Sequence, residues 1–426
     1  MKTEIAVFGG GIAGFHTAVV ASRLGKKVTL IERTSSIGGL ATLGLVNPFM
    51  KYWLNGEKLV KGIFEELLNR VEKKGGLFFN IFDSETMKIE MLKMLKENSV
   101  NVLFNTVPYY VKTENNRINS VKLITSIGEK LEITADFFID ATGDGTLAYL
   151  SGATVFSGNV QGENQALTVM FTMGGVDFEK VKEDVSNNRE NFFPWVDPDM
   201  KIVSVAGYFE EIERARKDGL EFPNKYFFYN QLPGNGRITV NTTHIGAKTT
   251  NISEISRAIF EGVEQIELII KFTKTYLKGF ENAYLEKIAP SIGIRESRRI
   301  KGLYVFTGED VKNLRKFEDG VVKACYGIDV HPKDAQSQKI DKTVPPQPND
   351  YYEIPLRSLI SSEFENLGIA GRCLSADFLG QSAARIMPTC AGMGQAIGFT
   401  CSLSDGSLWD LDFKKVKKLL EEEGFL

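Results

Sequence analysis

The stretch that decides the fold is AVFGGGIAGFHTAVVASRLGKKVTLIE, residues 6–32. A short apolar run leads into the glycines Gly9, Gly11 and Gly14, and apolar residues at helical spacing follow them. A second apolar run then ends at Glu32. Glycines at a strand-to-helix turn, followed by such an acid, are typical of a dinucleotide-binding fold. The pattern predicts a strand over 4–8, a helix over 12–24 and a strand over 27–31.

Each feature of this motif has a physical role in holding a dinucleotide. Gly9 permits the tight turn, Gly11 lets the backbone approach a pyrophosphate, and Gly14 lets the helix pack closely on the strand. The free amides and the positive dipole end of the helix hold the phosphates. Glu32 is placed to accept hydrogen bonds from a ribose 2′-hydroxyl, which disfavours the 2′-phosphate of NADP. The motif alone does not separate NAD from FAD.

Length and composition define the broad class of protein. The chain has 426 residues, 43% of them hydrophobic and 25% charged, which is enough for two domains with ample cores. Its formal net charge is -3, and acidic and basic residues are intermixed. We therefore expect small-molecule partners rather than nucleic acid or an anionic membrane surface.

Targeting, membrane and metal signals are weak throughout. The glycine motif begins too close to the N-terminus for a secretory signal, and no apolar run approaches the roughly 20 residues that cross a bilayer. We therefore expect a cytoplasmic protein with no membrane span. The four cysteines and three histidines are widely spaced, so no metal site or disulfide framework is predicted.

Two further glycine motifs favour a flavin. The doublet Gly38-Gly39 follows Glu32 closely and allows a second close approach to a bound group, on the side of the longer half of a dinucleotide. NAD-dependent dehydrogenases usually lack such a doublet. An apolar strand predicted over 135–140 runs into ATGDG, where Gly143 and Gly145 mark another turn.

At this point the chain resembles the glutathione-reductase-like superfamily of FAD enzymes and, more narrowly, the family called FAD-dependent oxidoreductase. The resemblance covers nearly the whole chain and rests on FGGGIAGFHTA, IERTSSIGGLAT, FFIDATGDG, IGIRESRRIKG, YGIDVH, YEIPLRSL, IAGRCLSA and CAGMGQAIG. It implies that the following residues line FAD: Gly9, Gly11, Ile12, Ala13, Gly14, Glu32, Arg33, Gly39, Leu40, Ala41, Thr42, Val107, Ala141, Gly143 and Asp144.

The C-terminal part of the chain adds a second group of cofactor candidates. Gly371 and Arg372 close a predicted strand, and Arg372 or its neighbouring amides can reach the pyrophosphate or ribityl chain. A buried helix is predicted over 389–404, with Pro388 just before it. Its N-terminal amides can face the flavin N1 and O2 edge, although a core helix with glycines for close packing is the alternative. The candidates in this helix are Gly392, Met393, Gly394 and Ala396.

The predicted fold class is α/β, with a Rossmann-like FAD-binding domain around a parallel sheet and an inserted α+β substrate domain. The FAD-binding domain is predicted over 1–164 and 342–426, the insertion over 165–341, and a proline-rich linker over 342–355. The chain lacks the C-x-x-x-x-C pair and second nucleotide-binding domain of disulfide reductases. No histidine lies between His16 and His244, so noncovalent FAD is predicted.

Few residues compete for the chemistry beside a flavin. Asp329 and His331 alternate along a strand-like run in YGIDVHPKD, so the carboxylate can orient the imidazole. The family resemblance adds a similar tyrosine-x-isoleucine-aspartate-x-histidine pattern, whereas the alternative is a structural histidine. Arg298 and Arg385 are the first candidates to hold a substrate carboxylate. Either arginine can instead form structural ion pairs or contact FAD phosphates.

Two functions of different class follow from these residues. The first is an FAD-dependent dehydrogenase or reductase that transfers a hydride between noncovalently bound flavin and a small polar metabolite, with an unknown electron donor or acceptor. The second is a flavin-binding electron-transfer or structural subunit of a complex. A thiazole synthase is disfavoured, because such proteins are shorter and lack a large insertion.

Overall fold

A five-stranded parallel sheet forms the centre of the protein. The computed structural model describes residues 1–337 and 348–426. The first strand lies in the middle of this sheet, with the second and third strands on one side and the fourth and fifth on the other. In the order in which they lie side by side, the strands are Leu367–Ile369, Phe137–Asp140, Ile5–Phe8, Val28–Ile31 and Asn101–Leu103.

Two helices cross next to this sheet at very short distance. The helix after the first strand, Ile12–Arg23, packs on the long buried helix Met387–Leu403. A Cβ atom on Gly394 would lie 2.2 Å from the carbonyl oxygen of Ala13, and one on Gly398 would lie 2.7 Å from that of Thr17. Glycines at these two positions therefore let the helix backbones touch.

A second sheet of five strands lies in the middle of the chain and is antiparallel. The 25-residue helix Ile252–Tyr276 packs its apolar face into the same hydrophobic cluster as this sheet. The strands of the second sheet, in spatial order, are Ser204–Gly207, Phe227–Gln231, Ile238–Val240, Phe171–Gly174 and Tyr284–Ile288.

Smaller sheets and helices complete the fold. A three-stranded antiparallel sheet, Thr106–Glu114, Arg117–Thr125 and Lys130–Ile133, precedes the fourth central strand. Two-stranded pairs join Val155–Ser157 to Arg298–Ile300 and Gly320–Ala324 to Tyr352–Pro355. The other helices are Ile63–Lys73, Ser84–Glu97, Thr146–Ser151, Phe178–Asn187, Phe209–Lys217, Gly308–Lys312, Phe378–Ala384 and Phe413–Glu422. Within residues 1–337 and 348–426, no helix is both long and apolar enough to cross a membrane.

The predicted fold class is confirmed, with a parallel Rossmann-like sheet and a separate mixed region. The hydrophobic cluster around the second sheet runs from Leu167 to Ile294, whereas Phe306 and Val322 belong to the cluster around the central helices. We propose that the inserted domain starts near the predicted residue 165 but ends near residue 297. The predicted boundary at 341, and the first part of the predicted linker 342–355, lie outside the described residues.

Two local predictions were wrong. The buried helix begins at Met387 and ends at Leu403, so Pro388 lies inside its first turn, where a missing amide hydrogen costs no helical bond. Residues 326–332 form no strand, because they lie in a loop after Gly320–Ala324 and have no ladder partner. The Ala166 amide donates a backbone hydrogen bond to the His331 carbonyl oxygen at 3.1 Å and so connects this loop to residue 166.

Candidate active site

Of the three motif glycines in the turn after the first strand, one has open space beside it. A Cβ atom on Gly9 would lie 2.4 Å from the Ala141 carbonyl oxygen, and one on Gly14 would lie 1.9 Å from the Gly9 carbonyl oxygen. A Cβ atom on Gly11 would meet nothing within 4 Å. Gly9 and Gly14 thus satisfy backbone packing, while the space above Gly11 and the first amides of the helix, at Ile12 and Ala13, is free for a bound group.

Glu32 closes the second strand and turns its carboxylate back to the glycine turn. Its Oε2 accepts a hydrogen bond from the Gly10 amide at 2.6 Å, and its Oε1 accepts one from the Thr34 amide at 2.8 Å. Oε1 also accepts the Thr34 hydroxyl at 2.8 Å, so Oε2 is the oxygen with capacity for a further hydrogen bond, which a ribose hydroxyl can donate. Val107, predicted to offer a backbone contact, follows Thr106, whose amide bonds to the Glu32 carbonyl oxygen at 3.0 Å.

The glycine doublet lies directly against the first glycine turn. The Gly38 amide donates to the Gly10 carbonyl oxygen at 2.7 Å, and a Cβ atom on Gly39 would lie 3.1 Å from the Gly11 Cα. The turn Gly39–Ala41, which includes Leu40, is followed by Thr42, whose hydroxyl is tied to the Ile37 carbonyl oxygen. The two glycine segments therefore form one continuous cradle.

A group of three arginines surrounds Asp144 beside this cradle. Arg372 pairs with the Asp144 carboxylate at 2.8 Å, and Arg33 lies 3.7 Å from it on the other side. Arg298 donates to the Asp144 backbone oxygen at 3.4 Å and stacks its guanidinium over the ring of Tyr149. Burial raises the pKa of Asp144, but the charges of Arg372 and Arg33 outweigh it, so the pKa is lowered. One carboxylate among three arginines leaves positive charge for an anion.

The remaining cofactor candidates fall into two groups. Gly143 contacts the Arg372 side chain, and Gly371 lies against Ala13, so both border the cradle. In contrast, Gly392, Met393, Gly394 and Ala396 lie beyond the first turn of the buried helix and are covered by other elements, Gly392 by Val322. For these four residues the geometry favours the packing alternative, and the turn that contains Pro388 is the part of the helix free to face a bound group.

A second polar cluster lies at the start of the buried helix. The Asp329 carboxylate lies 3.2 Å from His331 Nε2 and 3.1 Å from a terminal nitrogen of Arg385. Arg385 also donates to the Asp329 backbone oxygen at 3.1 Å. Arg385 ends the helix Phe378–Ala384, one residue before the cap of the buried helix. The structure thus brings three of the four predicted catalytic residues together, while Arg298 lies in the Asp144 group instead.

Three further residues complete this cluster. The Tyr326 hydroxyl donates to Asp329 at 3.1 Å, and the side chain of Gln165 accepts the His331 amide at 3.1 Å. Arg295 donates to the Ala166 carbonyl oxygen at 2.7 Å. Arg295 is one of the arginines of IGIRESRRIKG that can hold a carboxylate, although the sequence ranks Arg298 and Arg385 before it. Tyr326 was visible as the first residue of the YGIDVH motif, whereas no sequence signal connects Gln165 with the loop.

Charge and burial set the protonation states in this cluster. Burial raises the pKa of Asp329, but its contacts with His331, Arg385 and Arg295 lower it far more, so the carboxylate is ionised. Burial, followed by the charge of Arg295, lowers the pKa of His331 below its ordinary value, so the imidazole is neutral at pH 7. The Asp329 side chain is 36% exposed. A neutral base held by an ionised carboxylate therefore borders open space.

The glycine cradle and the group around Asp144 are suited to hold a dinucleotide. The open cradle at Gly11 and the positive surplus around Asp144 suit a pyrophosphate, and Glu32 suits a ribose. The parallel sheet, its glycine turn and the second sheet define an FAD-binding fold of two regions. The chain belongs to the FAD dependent oxidoreductase family, whose model matches residues 4–420. FAD as the cofactor and an FAD-dependent oxidoreductase as the class of enzyme are thereby confirmed.

Solved structures share this fold at low sequence identity. A geranylgeranyl bacteriochlorophyll reductase-like protein from Thermoplasma acidophilum is 14% identical with a TM-score of 0.51, over 99% of this chain and 84% of that chain. The myxobacterial chondrochloren halogenase, a variant of FAD-dependent halogenases, is 14% identical with a TM-score of 0.50, over 99% and 79%. No curated protein matches the chain. These similarities support the fold alone.

The mode of FAD attachment is open to a direct test. Sequence predicts noncovalent FAD, because the histidines are absent from the region of the glycine doublet. Heat or acid denaturation of the purified yellow protein is expected to release essentially all of the flavin into the supernatant, measured by absorbance after centrifugation. Flavin that stays with the precipitated polypeptide through denaturing electrophoresis would contradict the prediction.

Proposed function

We propose that the protein transfers a hydride between noncovalently bound FAD and a small polar metabolite. The observation that carries this proposal is the neutral His331 held by the ionised Asp329, which is itself held by Arg385, at the start of the buried helix. This arrangement borders open space and supplies the proton acceptor that such a reaction needs. A merely structural FAD requires no such base.

Several residues are proposed to hold the cofactor. The amides of Ile12 and Ala13 and the guanidinium groups of Arg33 and Arg372 would hold the pyrophosphate, and Glu32 would hold the ribose of the AMP half. The backbone amides in the first turn of the buried helix would face the flavin ring system. In this arrangement the cofactor would extend from the glycine turn to the start of the buried helix. This arrangement supports the finer proposal that the cofactor site is of the glutathione-reductase-like type.

When bound, FAD supplies a two-electron centre that takes up or gives a hydride. In substrate oxidation, the C–H bond breaks with its electron pair, and His331 accepts the proton from the neighbouring heteroatom. Asp329 fixes the orientation of the imidazole and stabilises its cationic form, and Arg385 keeps this carboxylate in position. In reduction, the protonated His331 gives the proton back. The residues serve either direction and leave the electron partner to be identified.

Anaerobic reduction of the bound flavin tests the proposal. Members of a panel of hydroxy, amino and saturated metabolites are expected to bleach the flavin absorbance near 450 nm, a wavelength characteristic of oxidised flavin. The matched control is the His331→Gln variant, whose flavin should bleach much more slowly with the same compound. If every small molecule leaves the flavin oxidised and only a protein partner reduces it, the electron-transfer subunit is the better description.

A further inference from the structure

The cluster around Asp329 contains more positive charge than its own residues balance. Arg295 and Arg385 both approach Asp329, which is the one carboxylate paired with either of them in residues 1–337 and 348–426. Burial and the charge of Arg385 lower the pKa of Arg295 to about 10, so both arginines are still charged at pH 7. With His331 neutral, the cluster carries one unbalanced positive charge. Such a charge is costly in a partly buried site unless a bound anion balances it.

The hydrogen-bonding groups of the cluster are also incompletely used. Within residues 1–337 and 348–426, Arg295 bonds to neutral acceptors alone, the Ala166 carbonyl oxygen at 2.7 Å and the Asn241 side-chain oxygen at 3.4 Å. In the same part of the chain, neither the buried Nε atom of Arg385 nor the side-chain nitrogen of the fully buried Gln165 has a hydrogen-bond partner. Buried donors without partners are rare in native proteins, and here two of them flank His331. They indicate an acceptor-rich ligand.

An aromatic surface adjoins this cluster. Tyr226 lies near both Arg295 and Tyr326, and its ring contacts Phe193 with the ring centroids 5.2 Å apart. Phe193 stacks on Trp195, which is 41% exposed. Phe228 contacts Trp195, and its carbonyl oxygen accepts the amide of Asn241, the residue that Arg295 contacts. These four rings, Phe193, Trp195, Tyr226 and Phe228, are here called the aromatic patch, in which Trp195 is exposed and the other three rings are half-buried. Aromatic groups that reach the surface next to a polar site are typical of ligand-binding surfaces.

We propose that the small polar metabolite is an aromatic carboxylate, with its carboxylate held by Arg295 and Arg385 and its ring on the aromatic patch. The inference rests on the proposed hydride transfer for naming this compound a substrate, whereas its binding needs no turnover. Arg295 contacts the carboxylate directly in this scheme, and the Nε of Arg385 completes the anion site. A planar guanidinium matches a carboxylate better than an ammonium does.

Binding to the FAD-loaded, oxidised protein tests the inference with three probes: phenylacetate, acetate and phenylacetamide. Dissociation constants come from titration calorimetry and from perturbation of the flavin absorbance. Phenylacetate should bind at least ~10-fold more tightly than acetate, which lacks the ring, and than phenylacetamide, which lacks the charge. In Arg295→Gln the preference over the amide should disappear, and in Trp195→Ala the preference over acetate should shrink.

Controls distinguish the possible roles of the arginine. Arg214→Gln, on an exposed helix face, should leave all three dissociation constants unchanged. Arg295→Lys keeps the charge and should weaken phenylacetate binding less than Arg295→Gln, which keeps the test valid if the glutamine variant folds poorly. Equal binding of phenylacetate and phenylacetamide to the native protein would overturn the inference. So would a lowered flavin reduction potential in Arg295→Gln with unchanged phenylacetate binding, since the charge then serves the flavin. Binding as expected without any flavin bleaching would leave this inference intact and reject the proposed hydride transfer.

Discussion

Replacing His331 with glutamine is expected to lower the turnover rate by about 10²- to 10⁴-fold while FAD stays bound, the range typical of losing a general base. Glutamine can still hydrogen-bond to Asp329 but cannot take up a proton at neutral pH. The glycine cradle and the arginines around Asp144 are untouched, so flavin content should not change. Steady-state kinetics with the metabolite that bleaches the flavin, together with the ratio of flavin to protein absorbance, provide the measurement.

The pH dependence of the reaction rate distinguishes a catalytic His331 from a structural one, because a structural histidine would leave this dependence unchanged. Because burial and Arg295 lower the pKa of His331, the neutral base persists at pH 7 and is lost only as the pH falls below the ordinary value of about 6.5. The native rate of substrate oxidation should therefore fall on acidification through that region, whereas the His331→Gln rate should be flat there. The other ionisable groups that face His331 are Asp329, Arg385, Arg295 and His244, and burial lowers the pKa of His244 to about 4, below this range.

His244 offers a matched histidine control. Its Nε2 bonds to the Pro332 carbonyl oxygen at 2.8 Å, in the same loop, but its side chain does not contact Asp329. His244→Gln can keep a hydrogen bond to that oxygen and should change turnover by less than about 10-fold. If both histidine variants lose activity equally and melt at equally lowered temperatures, His331 supports the loop and is not the base.

The sequence predicted the central strands and helices because local pattern determines them. The apolar spacing and the preceding glycines predict the first helix over 12–24. The structure has this helix at Ile12–Arg23, so its end differs from the prediction by one residue. Residues 252–277 likewise carry apolar residues at helical spacing, and the structure forms the helix Ile252–Tyr276 there. Both elements bury their apolar faces in clusters that the same residues build, so sequence periodicity and tertiary packing agree.

The choice between arginines could not be made from the sequence. Arg295 and Arg298 are three residues apart, with Arg295 in a bend before the strand Arg298–Ile300. One guanidinium reaches the Asp329 cluster, and the other stacks on Tyr149 beside Asp144. The sequence spacing does not show which of the two faces the cofactor. That depends on Asp329 and Asp144, which come from separate parts of the chain and meet the arginines only in the folded protein.

The glycines of the buried helix illustrate a different limit. A glycine in a conspicuous motif has two common explanations, space for a ligand and space for another backbone, and both leave the same letter in the sequence. At Gly394 a side chain would strike the Ala13 carbonyl oxygen, so helix crossing explains the residue completely. At Gly11 a Cβ atom would meet no protein atom within 4 Å, and we propose that a ligand explains this glycine. Only coordinates of the surrounding chain separate these cases.

Two glycine variants are expected to differ in FAD affinity and in the stability of the apoprotein, both measured by thermal unfolding with and without added FAD. Gly11→Val should lower FAD affinity by about 10²-fold or more, since losing charge-assisted bonds from pyrophosphate to amides costs about 1.5–3 kcal/mol each. Its φ of -69° and ψ of -175° suit any residue, and the new Cβ atom meets no protein atom within 4 Å. The apoprotein should therefore lose only about 1 kcal/mol, because valine is a poorer N-cap than glycine.

Gly14→Ala is the matched control. It adds a smaller side chain than Gly11→Val does, but it should destabilise the folded protein more. Its Cβ would lie 1.9 Å from the Gly9 carbonyl oxygen, a distance that the two backbone segments cannot relieve without moving the helix from the strand. The apoprotein should lose about 1–3 kcal/mol or more from overpacking. FAD should raise the melting temperature of the native protein strongly and that of Gly11→Val hardly at all, since a ligand stabilises only the state that it binds. If Gly11→Val retains the full FAD-induced shift, the pyrophosphate does not lie above Gly11, and the cradle holds another part of the cofactor.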